Sequence, residues 1–193
     1  MELFRSMDRE SMGRKSFVPH ILASLCLLMS IGTSQVMAAN MRSFIEAVRR
    51  KATVVYVGSV KEVRMLTRTK FDIKAQAVID VLSVVRGAGN VRAATVEYSS
   101  YDDKTPMLEG GPQYQLQPGV KVVIFANSFA STIPPAYLMQ GSREELLQRV
   151  VALRDSLSRM SPDQLKVHEI NEEDRRVQLE LYEKLCAYLR TSK

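Results

Sequence analysis

Between Phe71 and Val81 the odd positions are all apolar, while Asp72, Lys74, Gln76 and Asp80 occupy even ones. Side chains alternate across a strand with period two, so this stretch predicts a long strand with one face on a core and the other largely wet. After Val81 the phase slips to Leu82 and Val84. A slip inside a strand predicts a bulge, which bends the strand and increases its twist. The stretch ends at Arg86-Gly87-Ala88-Gly89-Asn90, a turn signal. Upstream, residues 52 to 63 are β-branched and aromatic, and residues 54 to 57 are apolar on both faces. That pattern predicts a central strand, with Gly58 marking a bend or a close approach by another backbone. Arg64 to Lys70 reads as a charged connector. Further strands are expected at Val91 to Tyr98, at Val120 to Ala126 after the Gln117-Pro118-Gly119 turn, and at Ala136 to Met139. A long polar loop, Ser99 to Gly119, separates the third strand from the fourth.

Helical spacing appears at both ends of this β-rich region. Phe44, Ile45 and Val48 predict a short helix over Met41 to Lys51, with Ser43 as its cap. After Gly141, Ser142 and Glu145 form a capping-box signature ahead of the stripe Leu146, Leu147, Val150, Leu153, Leu157 and Met160. Ser161-Pro162 opens a second segment, with proline at the first helical position. Asn171 caps a third, whose first turn holds Glu172, Glu173 and Asp174, and whose stripe is Val177, Leu181, Leu185, Tyr188 and Leu189.

Strands without β-α-β alternation, a bend glycine and a bulged strand together predict a mainly β protein with α. The expected architecture is a five-stranded OB-like Greek-key barrel, preceded by a short helix and followed by a C-terminal helical extension. Residues 39–141 would form the barrel and residues 142–193 the extension. The first 38 residues read as a signal peptide: Arg14-Lys15, an apolar run from Phe17 to Ile31, and the small-x-small site Val36-Met37-Ala38. Met12 is an alternative start to Met1, because Met12-Gly-Arg-Lys is the more basic opening. An uncleaved anchor is the rival reading, opposed by Pro19 and the polar residues 32 to 35. Cleavage near Ala38 would leave 155 residues, with no stable transmembrane segment, in the periplasm or outside the cell.

Charge and cysteine content add little to this picture. The leader holds four basic and three acidic residues, so a net +6 becomes +5 without it, with the basic residues interleaved with acids. Cys186 would then be the single cysteine, which excludes an internal disulfide. It reads as an apolar residue on a helix, or alternatively as a link to another chain.

Three stretches resemble a known family. Residues 44 to 60, from Phe44-Ile-Glu-Ala-Val to Val-Gly-Ser-Val60, resemble the opening helix and first strand of bacterial exported domains with the netrin-like, tissue-inhibitor-of-metalloproteinase-like (TIMP-like) fold. Ala77 to Gly87 is similar to that family's strand ending in a "VLKG"-type turn, and Tyr114 to Ala126 to its "G-x-x-Y-L-V-F" strand. The resemblance implies an OB-type barrel in a secreted or periplasmic protein. Animal inhibitors of this fold chelate zinc through an N-terminal cysteine, and the expected N-terminus here is Ala39-Ala-Asn-Met. The inhibitor mechanism therefore does not carry over with the fold.

No catalytic constellation stands out. His168 is the one histidine beyond the leader and reads as a surface residue, and no His or Cys pair has metal-ligand spacing. No catalytic residue, metal or cofactor is expected. Asp102, Asp103 and Glu109 are the only basis for a third reading, a carboxylate hydrolase. Binding has more support: Tyr98, Tyr101 and Tyr114 bracket the long loop, with Lys104 inside it. Tyrosine gives large contact area at low entropic cost. The expected function is a non-enzymatic module contacting an unidentified envelope or extracellular protein. The alternative is a glycan or anionic ligand on the barrel face.

Overall fold

The structure is a computed structural model that describes residues 45–69, 72–101, 113–131 and 137–191, all within one compact unit. Residues 45–51 form a helix, α1. The strands are β1 (Val54–Arg68), β2 (Ile73–Arg86), β3 (Ala93–Ser100), β4 (Lys121–Ala126), β5 (Ala130–Ser131) and β6 (Tyr137–Gly141). Three helices follow: α2 (Arg143–Ser158), α3 (Pro162–Val167) and α4 (Glu172–Thr191). The class is mainly β with α. The expected leader, residues 1–38, and the proposed cap Ser43 lie outside the described residues.

The sheet runs β5-β3-β2-β1-β4-β6, antiparallel except for the short β3·β5 pair. β1 is central, as its doubly apolar start requires: Val55 and Val57 face one core, Val54 and Tyr56 the other. The phase slip in β2 is a bulge. Gly58 pairs with Val81 and Val57 with Ser83, which leaves Leu82 between them without a partner. Gly58 is a close approach: a Cβ there would overlap Ile79 Cγ2 and sit 2.9 Å from the Asp80 carbonyl oxygen. The charged stretch after Val63 is not a connector, since β1 continues through it to Arg68, paired with the start of β2.

The sheet is strongly rolled. β4 and β5 are four positions apart in the strand order, about 19 Å in a flat sheet. Yet only four residues take the chain from Ala126 to Ala130, a reach of about 14 Å at most. Only curling brings the end of β4 to the outer edge of β3, where Thr95 N–H donates to the Phe129 carbonyl at 2.8 Å. The roll stops short of a closed barrel: among the described residues the ladder keeps two ends, β5 and β6, where the sequence suggested closure.

Each face of the sheet has its own core. Inside the roll lie Val54, Tyr56, Val60, Ala75, Ala77, Ile79, Val96, Ile124 and Leu138, with Leu116 plugging one end. Outside it, Val55, Val57, Val123 and Phe125 meet Leu146, Val150, Leu181, Leu185 and Leu189 of α2 and α4. The helix starts are built as their sequences specify. Ser142 and Ser161 form reciprocal capping boxes with Glu145 and Gln164, and Asn171 Oδ1 accepts from Asp174 N–H at 2.7 Å. One stripe position departs from expectation, because Val177 faces solvent. Cys186 is a free, buried thiol packed in the outer core.

Candidate functional site

Two places combine polar chemistry with shape. The first is the end of the roll where the sequence places its tyrosines. Tyr98 is on β3 with its ring on the inner core, and Tyr114 stacks edge-on against it with centroids 6.3 Å apart. Tyr114 also bridges β3 and β6 across the roll. Its N–H donates to the Ser99 carbonyl beside β3 at 2.9 Å. Its hydroxyl accepts the Leu138 N–H of β6 at 3.1 Å. Burial pushes both phenols above the ordinary tyrosine range. Tyr101, just past β3, is exposed. The structure thus brings Tyr98 and Tyr114 into contact and leaves Tyr101 accessible near them in sequence. Lys104 lies outside the described residues, as do Asp102, Asp103 and Glu109.

At this same end β1 outruns β4. On that side Val60 is bonded to Gly119 and Val120. From Lys61 to Thr67 the strand is paired with β2 alone among the described residues. Met65 pairs with Ala75, which pairs with Tyr98, so the three side chains share the inner face of the roll. Met65 is nonetheless 56 % exposed, and the bulged Leu66 is 39 % exposed.

The second place lies under the helices, where α1 meets α2 and α4 around a cavity of about 40 Å³. Arg49, Arg50 and Glu46 line it from α1, Leu157 from α2, and Gln178 and Tyr182 from α4. Gln178 organises the wall. Its Nε2 donates to the Arg49 carbonyl at 3.4 Å and to the Tyr182 hydroxyl at 3.3 Å. Its Oε1 accepts from Arg86 at 3.3 Å, and Arg86 also donates to the Ala52 carbonyl at 3.2 Å. These bonds satisfy carbonyls at the end of α1 that have no partner within the helix. Burial draws the Arg86 guanidinium below its usual range, and burial raises the Tyr182 phenol. Arg50 donates to the Glu169 carbonyl at 2.7 Å. Glu46 Oε2 lies 3.2 Å from His168 Nδ1, an ion pair when the ring is protonated, so His168 is packed rather than free on the surface.

Arg49 differs from these neighbours. It is only 7 % exposed, its Nε is buried without a hydrogen-bond partner, and no carboxylate lies within ion-pair distance among the described residues. Its guanidinium carbon sits 5.2 Å from the centre of the Tyr137 ring. Arg49 was hidden in sequence because Arg49-Arg50-Lys51 reads as a solvated basic run. The available signal was Gln178, which falls at helical spacing on the face of Leu181, Leu185 and Leu189 and so predicts a polar partner inside the core.

Among the described residues no cluster of three or more His, Cys, Asp or Glu residues could hold a metal ion. Within the same residues no helix is long and apolar enough to cross a membrane. The fold and the two places define a rolled-sheet protein with a helix-covered face. No protein-family model, no curated protein and no solved structure matches the chain.

Proposed function

We propose that this protein is an exported, non-enzymatic binding module with a rolled sheet of the OB type, akin to netrin-like domains, acting through contacts with another protein. The observation that carries the reading is the open edge of β1. Seven residues, Lys61–Thr67, have no strand beyond them among the described residues, and the apolar Met65 and Leu66 are exposed there. Bulges at Lys61 and Leu66 and the charges on this stretch blunt edge-to-edge pairing with another sheet, while an extended segment can still add as a strand where Met65 and Leu66 are exposed. The edge carries Lys61 and Arg64 against Glu62. Its cation excess suits an extended segment bearing acidic residues. Exposed ion pairs such as Lys61–Asp80 at 3.8 Å contribute little and exchange readily for a partner's carboxylates.

A photo-crosslinking side chain placed at position 65 tests the reading, with the same group at Val167, the most exposed large apolar residue described, as control. The expected result is a discrete adduct with one protein from position 65 and none from position 167. Equal labelling from both positions, or none from position 65, would remove the open edge as the contact surface.

A further inference from the structure

We propose that the cavity between α1, α2 and α4 is a binding site for a small monocarboxylate, with the Arg49 guanidinium as its anchor. Burying a cation without a partner is costly, and the buried charges that persist in folded proteins are paired or ligated. A guanidinium cannot escape that cost by losing its proton. Arg49 is more than nine-tenths buried and lines the cavity, its Nε has no hydrogen-bond partner, and among the described residues the Tyr137 ring is its one compensating contact. A ring face offsets part of a desolvated cation's cost and makes no hydrogen bond.

The remaining lining groups offer donors in excess of acceptors. The Tyr182 hydroxyl accepts from Gln178 and so keeps its own proton to donate. Arg50 uses one nitrogen on the Glu169 carbonyl while its Nε stays unbonded. Gln178 Oε1 is already taken by Arg86. Glu46 is the one acid in the inner part; its Oε2 lies 3.2 Å from His168 Nδ1 but accepts no hydrogen bond, one open acceptor against the open Nε donors of Arg49 and Arg50. A planar carboxylate matches the two-nitrogen fork of a guanidinium, which fixes its orientation as well as its charge.

Size and rim charge narrow the ligand. About 40 Å³ holds roughly three water-sized groups, the size of formate or acetate. Asp174 and Ser156 line the cavity and are exposed, which places them at its solvent side. A carboxylate there disfavours multiply charged anions such as phosphate. The site is separate from the β1 edge and does not depend on the proposed protein contact.

The test titrates the full-length chain with sodium formate, acetate or phosphate against sodium chloride at matched ionic strength. Thermal unfolding and the broadening of the ¹³C-formate resonance are both read. Wild-type protein should show a saturable rise in Tm with formate and acetate, little with phosphate, and formate broadening that acetate reverses. Arg49→Lys keeps the charge but loses the fork and should bind formate about tenfold more weakly. Arg176→Gln, on the exposed face of α4, should bind as wild type. Formate that neither shifts Tm nor broadens with the wild-type chain would overturn the site. Unaltered affinity in Arg49→Lys would overturn the role of Arg49.

Discussion

The two faces of the sheet are both dry, yet they are built from different residues. The outer face buries Leu146, Leu157, Leu165, Leu181, Leu185 and Leu189, large side chains supplied by helices distant in sequence. The inner face holds Ala75, Ala77, Ala94 and Ala126 among its members, with leucine only at 116 and 138. Helices resting on a sheet keep about 10 Å between layers, and that space needs bulk. A sheet rolled on itself brings its own strands together, and alanines make room where they approach. One face is therefore limited by filling and the other by crowding. Opposite kinds of substitution should break them.

The largest effect is expected on the outer face. Leu185 is fully buried between α4 and the sheet, and Leu185→Ala leaves a cavity among fixed neighbours. A loss of about 2–5 kcal/mol should appear as a lower urea midpoint with an unchanged slope. The inner face should fail in the opposite direction. Gly58→Val adds atoms where even a Cβ would overlap Ile79 and crowd the Asp80 carbonyl. That overpacking should cost about 1–3 kcal/mol. If Gly58→Val is tolerated without loss, the roll is looser than its alanines imply.

A smaller, more local effect sharpens the contrast at the seam. Tyr114 bonds β3 through its backbone and β6 through its hydroxyl. Tyr114→Phe keeps the ring against Tyr98 and leaves the Leu138 N–H without its acceptor. The expected cost is about 1–2 kcal/mol. Amide exchange should quicken at Leu138 and stay unchanged in α4, because helix burial does not depend on the seam. Exchange that rises uniformly through the chain would mean the two faces unfold as one unit.

The same contrast decides what the sequence disclosed. The outer face was legible because its parts are local: caps at Ser142, Ser161 and Asn171 and a leucine stripe can be read within one helix. The central position of β1 and the Leu82 bulge were legible because strand period and its slips are also local. The rest depends on what lies opposite. Arg64 to Thr67 resembles a connector because a stretch with no strand beyond it among the described residues tolerates charge on both sides. The two-residue β5 has too little pattern to see, and the open order of the sheet is set by where β4 and β5 meet their partners. For the candidate sites, the tyrosines stood out by composition, but Tyr98 and Tyr114 are packed into the roll while Met65, on the same inner face, stays exposed. Arg49 was invisible because burial of one arginine in a basic run follows from α4, which lies more than 120 residues further along the chain.

The smallest effect is expected at Tyr56, and its sign is the informative part. The ring is fully buried in the inner core, 5.4 Å from Phe129 between centroids, and its hydroxyl has no hydrogen-bond partner. Crowding there has forced a polar atom into a place that offers it nothing. Tyr56→Phe removes that atom and keeps the packing, so stability should be unchanged or rise by about 1 kcal/mol. Burial also pushes the phenol far above its ordinary value of 10.0. The unfolded chain therefore ionises at that position first as pH rises. Stability from the un-ionised phenol is complete below about pH 10 and is lost as pH climbs toward the folded value. In Tyr56→Phe the decline of the urea midpoint above pH 10 should be shallower than in wild type. A variant that is less stable at neutral pH would show instead that the hydroxyl has a partner, and that the inner face contains a polar bond across the roll.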